Sequence, residues 1–407
     1  MNPELRRRYN AAFTNDLYRR YLERLETQLG VKIPFRIAEA PLFLPKPLRQ
    51  RLASAAREIV AQISEPKVIE AMKAAIPPAL DVPRMDDLAS CIQVDFAIVR
   101  GEDGELTGKV VELQGFPSLY ALMVVQTEAM AQELQAIPGL EGPWSIYYSG
   151  HDRASFVAKF KAALLAGHDP EEVVLLDLEP TAQKTYADFV ATRQLTGVDA
   201  IGPEELVREG NRLFRQKDGR RIQVKRIYNR IVFDELANKG VQLPFDYRED
   251  LDVSWFPHPN WYWVWSKYTL PHVNHPAVPK ATYVSDLPEW PADLSRYVLK
   301  PLFSFAGAGV IIDPTHADLE RIPVADRGGW ILQEKIVYEP ALTMPTGDGV
   351  KAEVRMMFLR APGDEKPELV LNLVRMSRGK MLGVDQNKGL DWVGGSIGLW
   401  PASEGSL

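Results

Sequence analysis

Apolar positions follow two different periods along this chain. Before residue 80 they recur every three or four residues: Leu17, Tyr21, Leu22 and Leu25 form one stripe, and Leu48, Leu52, Ala55, Ile59 and Ile63 another. Each stripe predicts an amphipathic helix. Pro41, Pro45 and Pro47 break the two apart. At Cys91 the pattern changes, and CIQVDFAIVR and KVVELQ read as short strands joined through the turn-rich stretch from Gly101 to Gly108, a hairpin signal. A helical pattern follows from Leu119 to Leu134.

Between Trp144 and Glu209 strand-like and helix-like runs alternate: WSIYYSG, a helical run from Phe156 to Leu165, EEVVLLDLE, a polar helix, then GVDAIGPEEL. Units of this length predict a small parallel α/β subdomain. Residues 210 to 235 read as a strand pair around a turn at Asp218-Gly219. Residues 255 to 271, WFPHPNWYWVWSKYTLP, concentrate aromatic rings beside Lys267 and read as a packed core between lobes or as a stacking surface for a ligand. From Tyr297 the chain is strand-rich, with YVLKPL, WILQEKIV, KAEVRMMFL and ELVLNLVRMS, and its tail after Gly389 is either a loop or a cover for the site. The expected class is α/β (α+β). Four regions are expected: helical residues 1–85, a hairpin and helix at 86–140, the small α/β subdomain at 141–215, and a strand-rich part at 216–407.

At 407 residues the chain predicts two or three modules sharing a cleft. Hydrophobic residues at 46% and charged residues at 25% match a globular protein. A formal net charge of −6 without a basic run argues against a nucleic-acid partner. The single cysteine, Cys91, allows neither an internal disulfide nor a Cys/His metal cluster. The charged start from Met1 to Arg8 does not resemble a signal peptide, and no apolar run approaches the roughly 20 residues of a membrane span. A cytoplasmic location is the expectation, with no membrane partner.

Four segments carry candidate chemistry. In YVLKPLFSFAGAGVII a strand delivers Lys300 into a loop holding Ser304, Gly307 and Gly309. Glycines let backbone N–H groups approach anionic oxygens, and an ammonium neutralises phosphate, so the pair suits a nucleoside triphosphate; a plain hairpin is the alternative. The P-loop pattern is absent. In WILQEKIV, residues Gln333, Glu334 and Lys335 end an apolar strand that could meet a purine edge, or else form a solvated edge strand. In the early hairpin, Glu112 and Gln114 are two apart and leave one sheet face, which Asp95 can join from the paired strand. Such oxygen donors suit magnesium, and an ordinary half-solvated hairpin is the alternative. Finally, Glu353, Arg355 and Arg375 lie on adjacent strand-like runs, where arginine offers a planar fork for phosphate or carboxylate, or simply interstrand ion pairs.

As a set, Asp95, Glu112-Leu113-Gln114, the IYNR run at 227 to 230, Ser266-Lys267, YVLKP and ILQEK resemble, along residues 90 to 380, the circularly permuted ATP-grasp ligases of the glutathionylspermidine synthetase-like branch. Ordinary ATP-grasp chains place the lysine strands first; here the acidic hairpin comes first. The resemblance implies an ATP-grasp fold with permuted strand order and an ATP- and Mg2+-dependent carbon–nitrogen ligase that phosphorylates a carboxylate and lets an amine capture the acyl phosphate. A peptide or amino acid is the expected substrate class. It implies Asp95, Glu112 and Gln114 as magnesium ligands, Lys300, Ser304, Gly307, Gly309, Gln333, Glu334 and Lys335 around ATP, and Arg375 with Arg355 on the transferring phosphoryl group. The chain departs from the family pattern at Gln114, where Asn is expected, and at Gln93, where Arg is usual. A kinase on the same scaffold and a non-catalytic nucleotide-binding module are the competing expectations. No GxSxG elbow is present, and His258, His272 and His275 lie among prolines without helical metal spacing.

Overall fold

The computed structural model describes residues 2–116, 118–303, 309–379, 387–405 and 407. Its largest sheet runs in the order Gly394–Ser396, Glu368–Ser377, Gly349–Leu359, Cys91–Arg100, Leu106–Gln114, with Pro340–Thr343 also paired to Gly349–Leu359. The early acidic hairpin and the late strands are thus one antiparallel surface. Its central strands are buried almost throughout, which explains their near-continuous apolar runs.

Helices cover the apolar face. Asn15–Leu29 is capped by the Thr14 side chain and ends at Gly30 in the left-handed region, φ 73°. Lys46–Ile63 packs on the hairpin and the Gly349–Leu359 strand. Tyr120–Leu134 is buried nearly all round, as a helix between a sheet and other helices must be. The N-terminal region is joined to the rest through Leu42–Phe43, which pairs with Gly398–Leu399.

A second sheet is wholly parallel, ordered Ser254–Phe256, Arg226–Asn229, Val173–Leu176, Asp199–Ile201. It therefore extends past the 141–215 span expected for the small subdomain, while Trp144–Ser145 leaves to pair with Trp400–Pro401. Alternation reveals strands but not their partners, and parallel partners are necessarily distant in sequence. A third sheet, antiparallel, holds Ala281–Tyr283, Trp330–Glu334, Tyr297–Pro301 and Ile311–Ile312. The turn at Asp218-Gly219 joins Arg212–Lys217 to Arg220–Val224, with Leu206–Glu209 as a third strand. Among the described residues no helix is long and apolar enough to cross a membrane.

Candidate functional site

The face of the large sheet opposite its covering helices carries a polar row. Register places Glu112 across from Asp95, Asp95 across from Arg355, and Glu353 across from Arg375. Asp95 is fully buried. Arg355 grips it with Nε on Oδ1 at 2.6 Å and Nη2 on Oδ2 at 2.8 Å, and Arg375 Nη2 donates to Oδ2 as well. Burial would raise the Asp95 carboxyl, but the two guanidinium charges overcome it and hold the group below the usual carboxylate range. Arg375 also meets Glu353 at 3.0 Å, and the half-buried Tyr338 hydroxyl donates to Glu353 at 2.6 Å. Gln114 Nε2 donates to Glu112 Oε2 at 2.8 Å, so these two do share a face and a direction.

Between Asp95 and Phe96 the hairpin register slips, leaving Val111 as an extra residue opposite no partner, a β-bulge. The consequence is chemical. The Val111 carbonyl accepts from Lys300 Nζ at 3.3 Å, across 189 positions of sequence, and the same ammonium donates to Gln333 Oε1 at 2.6 Å. Lys300 and Gln333 point from one face of the third sheet towards the large sheet. Burial lowers the Lys300 ammonium to about 8, with Glu112 opposing and Lys267 reinforcing the shift. Lys267, itself buried, lies 3.8 Å from Glu112. The cleft beside these groups is lined by Glu112, Gln114, Phe116, Tyr262, Lys267 and Phe303. Its outer wall, the edge strand Leu106–Gln114, is covered by backbone bonds from Val110 to Ala277 and from Gly115 to Trp265.

On the far side of Phe116 lie the carboxyl ends of the parallel strands, the usual place for a ligand in such sheets. Arg230 follows the Arg226–Asn229 strand, stacks its guanidinium over the Phe116 ring at 4.4 Å, and keeps Nε and Nη1 buried without a hydrogen-bond partner among the described residues. Asp177 follows the Val173–Leu176 strand; burial raises its carboxyl to about 7, against the pull of Arg230. Asp188 caps the Tyr120–Leu134 helix by accepting from the N–H groups of Leu119 and Leu122.

The structure therefore brings together Asp95, Glu112, Gln114, Arg355, Arg375, Lys300 and Gln333. Glu334 and Lys335 stand apart from this group: Glu334 is exposed and accepts from the Lys280 N–H, and Lys335 pairs with Asp313 and donates to the Ser295 carbonyl at 3.0 Å. Alternation beyond a strand end does not fix direction: past Glu334 the Lys335 N–H bonds the Arg296 carbonyl, and its side chain goes to Asp313 and Ser295. Gly309 takes a positive φ of 73° at the turn before Ile311, and Ser304 and Gly307 lie outside the described residues. Asp177 and Tyr338 carried no sequence signal, since a lone acid and a lone tyrosine become chemical only through burial. Lys267 and Arg230 stood inside recognisable runs but had no assigned part. His258 is bonded to the Pro83 carbonyl and lowered to about 4 by burial, while His272 and His275 meet Tyr283 and Glu58. Among the described residues no group of three His, Cys, Asp or Glu side chains is arranged to hold a metal ion.

No protein-family model and no curated protein matches this sequence. A solved structure does: a glutathione synthetase-like effector from Globodera pallida, in its apo form, with a TM-score of 0.52, 13% identity, and coverage of 89% of this chain and 94% of that one. The chain is thus similar in fold, over most of its length, to a glutathione synthetase-like protein.

Proposed function

We propose that this chain is an ATP- and magnesium-dependent carboxylate–amine ligase of the circularly permuted ATP-grasp type. The observation that carries the reading is the Lys300 ammonium held between Gln333 and the bulge carbonyl of Val111, beside Glu112 and Lys267. A buried lysine loses its charge unless an anion compensates, and phosphate supplies that compensation. Lys300 and Lys267 would hold the triphosphate, the strand carrying Gln333 the purine, and the loop of Ser304, Gly307 and Gly309 the phosphate oxygens.

Magnesium takes few protein oxygens and keeps water and phosphate as its other ligands. Glu112 and Gln114 fit that demand, being hard donors on one face at the cleft. Bound there, the ion would neutralise triphosphate charge and orient its terminal group. The donor carboxylate would dock against the unsatisfied Arg230 guanidinium, with Phe116 and Tyr262 shielding the reacting centre from water. Its oxygen attacks the terminal phosphorus, ADP leaves, and the resulting acyl phosphate is displaced by an amine, which loses its proton as phosphate departs. Arg375, with part of its side chain exposed, would stabilise charge on the phosphoryl oxygens, with Arg355 behind it. Small carboxylates or peptides and amines are the partners, in a cytoplasmic setting.

The test is calorimetric titration with a non-hydrolysable ATP analogue, followed by incubation with ATP and pooled carboxylates and amines. Joined product with ADP and phosphate supports the ligase. A stable phosphorylated product would make the chain a kinase, and absence of analogue binding at millimolar concentration would end the nucleotide reading.

A further inference from the structure

Asp95 sits in the same cross-strand row as Glu112, so side-chain type alone would count both as ligands of one ion. Their surroundings differ. Asp95 has no exposed surface, and three of its lone-pair directions are filled by guanidinium donors, two from Arg355 and one from Arg375. An ion bonded to it would stand against two fixed positive charges. Magnesium also keeps several waters, and a carboxylate with no solvent-accessible surface leaves no space for them. Glu112, in contrast, lines the cleft with 27% of its side chain exposed, and one of its oxygens accepts from the Gln114 amide.

We propose that Asp95 is a positioning residue for Arg355 and Arg375 and not a metal ligand, so that the protein's share of the magnesium shell is Glu112 and Gln114 alone. This rests on the nucleotide reading of the cleft. Asp95 accepts from both guanidiniums, and Glu353, held in turn by Tyr338, meets the same Nη2 of Arg375. The arrangement resembles the way outer carboxylates orient inner groups in catalytic sites: the acid acts through the arginines it aims. The anchoring restricts the rotamers of both arginines, and Arg375, with 38% of its side chain exposed, keeps the accessible surface that recognition of a transferring phosphoryl group requires.

Manganese, a spectroscopic substitute for magnesium, gives a readout separate from turnover. Its affinity is measured by electron paramagnetic resonance on the full chain saturated with a non-hydrolysable ATP analogue. Asp95→Asn is expected to keep manganese affinity within about threefold while kcat falls on the order of 100-fold with little change in the KM for ATP. Glu112→Gln is expected to weaken manganese by more than about tenfold. Equal loss of manganese binding in both variants would overturn the assignment while leaving the nucleotide site intact. A wild-type chain that binds no analogue would remove the nucleotide reading itself, and this assignment with it. Should Asp95→Asn fail to fold, wild-type crystals soaked with manganese and the analogue decide the matter. Anomalous density at Glu112 and Gln114, with both arginines still on Asp95, supports the proposal, and density bonded to an Asp95 oxygen overturns it.

Discussion

Arg355 and Asp95 face each other in direct register on adjacent antiparallel strands and form a two-bonded fork in which neither side chain has meaningful contact with solvent. The pair is separated by 260 positions and links the early hairpin to the late strands at the centre of one sheet.

Removing half of this fork leaves an uncompensated buried charge. Arg355→Met is expected to lower the stability of the folded chain by about 3–5 kcal/mol, measured by urea unfolding. The native Asp95 carboxyl lies below its unfolded value near 4, so its contribution is present above about pH 4 and is lost as the pH falls through the lowered native value. Arg355→Met should therefore shrink the acid-induced loss of stability, and an unchanged acid profile would count against the fork as its source.

Lys300 is expected to set the pH dependence of nucleotide binding. Its ammonium is lowered to about 8, so it is charged below that pH and neutral above it. Analogue affinity is expected to fall between pH 7 and 9, and Lys300→Met should bind weakly and lose most of that slope. The linkage to folding has the opposite sign: the unfolded lysine holds its proton to about pH 10.4, so in the free chain this residue's contribution rises as the pH climbs from about 8 to 10. Equal pH profiles for wild type and Lys300→Met would place the titrating group elsewhere.

Arg375 is expected to act on the transition state. Arg375→Ala should lower kcat by about 100-fold or more and raise the KM for ATP far less, checked by steady-state kinetics once a substrate pair is known. A rise in KM alone would reduce the residue to ground-state binding.

Tyr338 holds Glu353 through a half-buried hydrogen bond. Tyr338→Phe is expected to cost about 1.5–3 kcal/mol, the range for a hydrogen bond to a charged group, and to lower kcat modestly through looser placement of Arg375. Thermal unfolding and kinetics on the same variant separate the two effects.

Arg230 offers a test of the donor pocket that is independent of the nucleotide. Arg230→Met keeps the stacked bulk over Phe116 and removes the charge, so analogue binding should persist while coupling to the carboxylate substrate is lost. Loss of both would make Arg230 a structural residue.

Much of this architecture is legible in one dimension. The stripes through Leu17 and Leu48 became the Asn15–Leu29 and Lys46–Ile63 helices, and the Cys91 hairpin lies where its alternation placed it. Local periodicity suffices there because helices and hairpins form from neighbours. The shared face of Glu112 and Gln114 follows from the same period of two. Tertiary structure alone decided the rest. Which strands meet is a long-range matter, so the parallel sheet drew in residues 226–229 and 254–256 from beyond its expected span. The Val111 bulge is a register slip that no alternation announces, yet it supplies the carbonyl that Lys300 reaches. Asp95 and Glu112 look alike as acids in a strand. Only burial and the arginines brought from 260 and 280 positions away make one an anchor for guanidiniums and leave the other open at the cleft, because the behaviour of a carboxylate is set by the charges and solvent around it and not by its place in the chain.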